Sequence, residues 1–443
     1  MYRRSIEIGE ALHQAQPERT DVANSLALAV MALGVLLEGQ GQVAEAKHSY
    51  RRSMEMEEAL HRAQPENVDV ASGLTQVLRM LGLLLNDEGQ AMEAELAYRR
   101  SIEIGETLHQ AQPQHVEITY HLASAYWCLG NLVKQQGKPV EAQRVYRRSI
   151  ELSEALHQPL PGRSEFANHL AVALASLGLL LGEQGKIAGA KRAYRRSIDV
   201  RESWYRAEPE HVENAEHLVL LLTLLGDLLH EQGRAVDAKR TYSRSIEIGE
   251  VMYQVHPDHM GIAYHLTSVH RSLGNLLEKQ GKAGEAERAY CRSIEIGEAL
   301  HKGRPEDTGI ARNLVLAEIN FGLLLEAQGQ VVKAERAFRR SIKVAETLYQ
   351  GRPEHVMIGS CLAAALCSLG NMLYNRGRLL EAERAYRRSI EIGEALCSAK
   401  PEHVAIVNIL AEALRSLRSL LRKQGRAAEA RRAQQRITEL RRR

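Results

Sequence analysis

The chain has 443 residues, of which 44% are hydrophobic, but only three are Phe and two are Trp; a core of Leu, Ala and Ile with few aromatics and prolines indicates helix packed on helix. A formal charge of +3 argues against a protein coated for polyanions, yet the charge is uneven: the last 33 residues carry a surplus of eight positive charges and the preceding 410 a deficit of five. Five cysteines, Cys128, Cys291, Cys361, Cys367 and Cys397, form an odd set with no CxxC pair, which speaks against a disulfide framework or zinc ribbon and for small buried side chains.

In chain order, the first element is a second helix without its partner. MYRRSIEIGEAL opens without the apolar core of a secretory leader, and the longest apolar run, Leu26 to Leu33, falls short of a membrane span. These features predict a cytoplasmic protein with no membrane contact. The phrase that begins at Tyr2 returns at Tyr50, Tyr98, Tyr146, Tyr194, Tyr242, Tyr290, Phe338 and Tyr386, always 48 residues on. A proline follows in register from Pro17 to Pro401, and no insertion interrupts the copies. Uniform spacing of this kind predicts like units stacked so that each buries its face on the next.

Residues 69 to 112 serve as the sample unit. Leu74, Val77, Leu81 and Leu85 recur at helical spacing, Gly89 breaks the run, and Ala94, Tyr98, Ser101, Ile102 and Leu108 make a second stripe before Pro113. Each unit is therefore predicted as an antiparallel helix pair, each helix about 30 Å long. A glycine at every turn, Gly41 through Gly425, suits a left-handed backbone. Alanine recurs from Ala46 to Ala430, where two helices cross closely.

The L-G-x-x-L run of the first helix and the A-x-x-x-Y-x-x-S-I-E-I run of the second resemble the tetratricopeptide repeat family over essentially the whole chain. In the first full unit these are Leu33, Gly34, Leu37, Ala46, Tyr50 and Ser53. The departure is length: GEALHQAQP adds about two turns to the second helix, as in the lengthened units of kinesin light chains. The resemblance implies an all-α, right-handed α-solenoid or superhelix of antiparallel helix pairs, acting as a non-catalytic protein-interaction scaffold that receives a peptide or partner protein in a concave groove. Residues 1–443 are expected to form one array: a half-unit at 1–18, eight helix-pair units at 19–402, and a capping unit with an Arg-rich tail at 403–443.

Chemistry is sparse. In LGNLLEKQGK the residues around Gly281 and Lys282 lack the first glycine and the hydroxyl of a phosphate loop, so Gly-Lys is a helix turn. His13, His61, His109, His157 and His301 share a column with Tyr205, Tyr253 and Tyr349, indicating planar, half-buried positions. His121, His169, His217 and His265 form a second ladder, but no carboxylate or Cys recurs beside all four, so packing is expected and no metal. No GxSxG or HExxH signature occurs, and neither catalytic residue nor cofactor is expected.

Columns that vary between copies mark the surface open to a partner. By the resemblance, two columns of the first helix line the groove. One runs through Met31, Arg79, Trp127, Thr223 and Arg271; the other through Val35, Asn131, Asp227, Asn275 and Asn371. Asn131, Asn275 and Asn371 offer donor and acceptor to an extended peptide backbone. Trp127 is the candidate anchor, whereas Trp204, in a column of Leu and Met, reads as core. Arg271, Asn275 and Asn320 match in spacing three positions of the family's carboxylate clamp, but its two remaining basic positions fall on Ala364 and Ser368. The groove set is thus Arg79, Trp127, Asn131, Asp227, Arg271, Asn275, Asn320 and Asn371. Two alternatives stand beside it: self-association through the N-terminal half-unit, by Tyr2 and Ile6, and binding of an acidic partner or nucleic acid, the latter less favoured, by the tail from Arg431 to Arg443.

Overall fold

The computed structural model describes residues 2–16, 18–160, 162–399 and 404–440, with the side chains of Tyr2, Arg3 and Ala405 left aside. Of the expected features, Tyr2 as a contact, Pro17, Pro161 and Pro401 of the proline column, and the terminal Arg441 to Arg443 lie outside what is described.

The described residues are helical, with short turns and no strand among them. They divide into two compact units, Met1–Pro209 and Glu210–Arg443. The first holds α1 (Tyr2–Ala15), α2 (Thr20–Gly39), α3 (Val43–Ala63), α4 (Val68–Asp87), α5 (Ala91–Ala111), α6 (Val116–Gln135), α7 (Pro139–His157), α8 (Ser164–Glu183) and α9 (Ile187–Ala207). The second holds α10 (Val212–Glu231), α11 (Ala235–Val255), α12 (Met260–Lys279), α13 (Ala283–Gly303), α14 (Thr308–Ala327), α15 (Val331–Gly351), α16 (Val356–Asn375), α17 (Leu379–Ala399), α18 (Val404–Lys423) and α19 (Ala427–Leu440).

Even-numbered helices are the first members of the pairs and odd-numbered helices from α3 onward the second. Each first helix packs most extensively on the second helix that follows it, as α12 does on α13. The turn between them is set by a residue such as Gly281, whose φ of +72° only glycine adopts without strain. The helix crossing is set by alanines: Ala46, Ala94, Ala142, Ala190, Ala238, Ala286, Ala334 and Ala382 are all 0% exposed. A serine two turns on locks the pair, since Ser293 Oγ donates to the Thr267 carbonyl at 2.8 Å and Ser149, Ser197, Ser245 and Ser389 repeat the bond at 2.7–2.9 Å. These features bear out the all-α solenoid within each unit.

Neighbouring first helices also touch one another: α2–α4, α4–α6 and α6–α8 in the first unit, and α10–α12 through α16–α18 in the second. Second helices show no comparable contact with each other among the described residues. Long ion pairs span them instead, Arg148 to Glu106 at 3.1 Å and Arg292 to Glu250 at 2.7 Å. Within each unit the first-helix row is therefore the close-packed inner side, and the second-helix row the splayed outer side.

Five first helices, Thr20–Gly39, Val68–Asp87, Ser164–Glu183, Thr308–Ala327 and Val356–Asn375, are long and apolar enough to cross a membrane by length and composition, although no unbroken apolar run in the sequence had suggested it. Between 39% and 61% of each such window is buried against the rest of the protein, so the apolar side chains serve helix packing here.

Three expectations require correction. Ile6, expected to mediate self-association, is 7% exposed and packs on Leu26 and Val30; the exposed apolar residues of α1 are Ile8 and Leu12. Trp204 is half-buried rather than core, its indole N–H donating to Glu208 at 3.1 Å. Cys291 is exposed, unlike Cys128, Cys361, Cys367 and Cys397, because it occupies the outward column held by Arg339 and Arg387 in later units.

Candidate functional site on the first-helix row

The site is built by a tyrosine. Tyr290 of α13 is 0% exposed and lies against α12 at Gly274, where a Cβ would stand 2.5 Å from the ring. Because Gly274 lets the ring come that close, the hydroxyl reaches the inner row and lies 2.7 Å from Asn275 Oδ1 and 2.8 Å from Glu278 Oε2. Tyr146 and Asn131 repeat the relationship at 2.6 Å, Tyr386 and Asn371 at 2.8 Å, and Tyr242 and Asp227 at 2.6 Å. Burial, first of all, pushes each of these four phenols above its usual range. They are therefore protonated donors at neutral pH.

This arrangement alters what the asparagines offer. Asn131 and Asn371 Oδ1 accept the tyrosine proton, Asn275 Oδ1 shares the Tyr290 proton with Glu278, and Asn320 Nδ2 donates to Asn275 Oδ1 as well, at 2.8 Å. The side-chain amide left facing the groove is chiefly a donor through Nδ2.

Within the second unit, Asp227 from α10, Arg271 and Asn275 from α12, and Asn320 and Leu323 from α14 line one cavity of about 710 Å³. Its rim carries mixed charge: Glu231 and Glu278 beside Lys279, whose Nζ is 2.9 Å from His230 Nε2. Burial, followed by Lys279, lowers the His230 imidazole. Burial likewise lowers the Arg271 guanidinium, with Asp227 opposing, and Arg271 Nε is buried without a hydrogen-bond partner. The cavity therefore presents N–H donors and carboxylate acceptors from three successive first helices.

In the first unit a smaller cavity of about 340 Å³ brings together Trp127, Asn131, Leu83, Tyr98, Cys128 and Lys134. Trp127 is half-buried, and its indole N–H donates to Ser176 Oγ of α8 at 3.0 Å. The exposed anchor expected there is thus a ring wedged between α6 and α8, with one edge on the cavity. Arg79 does not line it; its guanidinium stands beside the Cys128 thiol, which burial pushes up to about 11. Asn371 lines neither cavity.

In the second histidine ladder His121 and His169 are packed side chains, while His265 meets Glu216 at 3.6 Å. Burial lowers His121 and His169 to about 4, His121 stands edge-on to Tyr120 with centroids 5.7 Å apart, and His169 Nδ1 meets Ser153 Oγ at 2.8 Å. The sequence reading missed the tyrosine hydroxyls as organisers. Their signal was partial: an Asn or Asp stands 15 residues before Tyr in four copies, but Val35, Leu83 and Leu179 hold that position before Tyr50, Tyr98 and Tyr194.

The family profile described as Tetratricopeptide repeat matches residues 170–203 and 362–405. These are α8 into α9 and α16 into α17, each a first helix entering its second. Those two stretches are similar to tetratricopeptide repeats. No curated protein matches it. Among solved structures, the repeat chain is similar to BtubC (BKLC) from P. vanneervenii at 19% identity, with a TM-score of 0.44 over 57% of this chain and 90% of that one. It is similar to the apo form of RapI at 13% identity, with a TM-score of 0.45 over 72% of this chain and 97% of that one.

Proposed function

We propose that the protein is a non-catalytic interaction scaffold which receives an extended peptide segment of a partner protein along the first-helix row of its second unit. The observation that supports this most is convergence: Asp227, Arg271, Asn275 and Asn320, from α10, α12 and α14, line one cavity. Spare N–H groups of Asn275 and Arg271 suit peptide carbonyls, while Asp227 and Glu278 suit peptide N–H groups or a basic side chain. Leu323, 43% exposed, adds an apolar contact. Tetratricopeptide repeats are typically non-catalytic, in keeping with a site of donors and acceptors.

The test is capture from a lysate by the full chain and by the triple variant Arg271→Ala, Asn275→Ala, Asn320→Ala. Loss of captured proteins at unchanged far-UV circular dichroism supports the reading. Retention of the same proteins by a folded variant rules it out.

A further inference from the structure

A second cavity of the same unit lies farther along the first-helix row. It measures about 730 Å³ and is enclosed by Arg312 and Leu316 of α14, Val356, Met357, Ser360, Cys361 and Ala364 of α16, Ile409 of α18, and Glu354 and His355 of the preceding turn. Its origin is a local break in the repeat. Where α16 has Ser360, the three preceding units have Glu216, Tyr264 and Arg312; where it has Cys361, they have His217, His265 and Asn313. Ala364 stands where α14 has Leu316. Small side chains at these positions on one face of α16 leave open the volume that Arg312, Asn313 and Leu316 fill in α14.

Polar groups beside the hollow lack protein partners. His115, His211 and His259 begin their helices with Nδ1 accepting a backbone N–H at 3.3–3.4 Å. His355 holds the same position in α16 but caps nothing, and its Nδ1 is buried without a partner. Ser360 Oγ is likewise buried and unpartnered. Elsewhere the column is engaged, as when Asn168 Oδ1 accepts from Arg201 at 3.0 Å and Glu216 meets His265 at 3.6 Å. Arg312 is half-buried and has neither ion pair nor hydrogen bond among the described residues. Glu354, the one carboxylate of the lining, is exposed at the rim and not paired with it. Burying a donor or acceptor without a partner costs roughly 1–3 kcal/mol, so groups the protein itself leaves unpaired beside an apolar hollow favour an occupant that pairs with them.

We propose that this cavity is a binding site for a small amphipathic carboxylate. Its aliphatic body lies on Leu316, Val356, Met357, Ala364 and Ile409, its carboxylate pairs with Arg312, and Ser360 Oγ donates to the same head group. A volume of 730 Å³ falls within the range typical of small-molecule sites, and the apolar lining with few polar groups is their usual composition. The inference is independent of the peptide reading, since no residue is shared with the cavity around Asn275.

Isothermal titration of the full chain with decanoate, decanol and acetate tests it. Decanoate is expected to saturate one site per chain, decanol to bind about tenfold more weakly for want of the charged partner, and acetate not to bind. Ser360→Tyr, which installs the residue found at Tyr264, fills the cavity and abolishes decanoate binding. Arg312→Gln, at a half-exposed position with no native partner to lose, brings decanoate down to the decanol affinity. Asn275→Ala with Asn320→Ala leaves decanoate binding unchanged. No saturable decanoate binding, equal binding by wild type and Ser360→Tyr, or an unaltered decanoate preference in Arg312→Gln overturns the proposal.

Discussion

Tyr290 presses its ring onto Gly274 and holds its hydroxyl 2.7 Å from Asn275 Oδ1, so one contact closes the helix pair and orients a groove residue. Gly274→Ala would place a methyl 2.5 Å from a ring that is fully buried and cannot swing aside. Urea unfolding is expected to show a loss of about 2–3 kcal/mol, in the range of overpacked cores. Wild-type stability in Gly274→Ala would refute the close approach.

Tyr290→Phe separates the two roles. The ring stays and the donor goes, leaving Asn275 Oδ1 and Glu278 without the hydroxyl. Stability is expected to fall by about 1 kcal/mol, and NMR to show the Asn275 side-chain amide shifted. Phe338 is the natural precedent, a copy that keeps the ring without the hydroxyl and has Leu323 at the Asn275 position.

Glu57 gives the fold a pH dependence. It replaces the glycine of other copies, such as Gly105 and Gly249, and is 0% exposed; Gly73 opposite accommodates it, since a Cβ there would lie 2.6 Å from Oε1. Burial raises its carboxyl from 4.5 to about 8. The folded state therefore holds a proton between those values that the unfolded chain has released. Its contribution to stability is fully present below about 4.5 and is lost as pH rises through 8. Denaturant midpoints measured across this window are expected to drop for wild type, by an amount on the order of 2–4 kcal/mol, and to vary less in Glu57→Gln.

Cys291 is the one cysteine exposed, although burial of its sulfur still raises the thiol. Titration of the native chain with a thiol reagent is expected to show one reacting group at mildly alkaline pH and four that react only on unfolding. Cys291→Ser abolishes the native-state reaction.

The periodic features were legible in the sequence because they depend on backbone geometry that every copy shares: the turn at Gly281, the crossing at Ala286 and the close approach at Gly274. Side-chain environments were less legible. Trp204 was assigned to the core from its column, yet a column assumes that each copy meets the same neighbours, and an indole is larger than the leucine it replaces. Asn275 was identified as a groove residue, but its oxygen is committed to a hydroxyl 15 residues away, a pairing that only the folded helix pair creates. Glu57 and Arg201 are not legible as buried residues, because each stands at a position where other copies carry glycine or another small residue, and what lies opposite decides whether a large side chain fits. Ser360, Cys361 and Ala364 are unremarkable singly; their effect appears only when α14, α16 and α18 enclose them.

The central claim, that a partner lies along the inner first-helix row, is tested most directly by site-specific photo-crosslinking. A benzophenone amino acid replaces Leu323, at the cavity edge, or Val332, 75% exposed on the outer second-helix row. Irradiation in lysate is expected to join a discrete partner through position 323 and none through position 332. A partner joined through position 332 alone, or equally through both, would contradict the account.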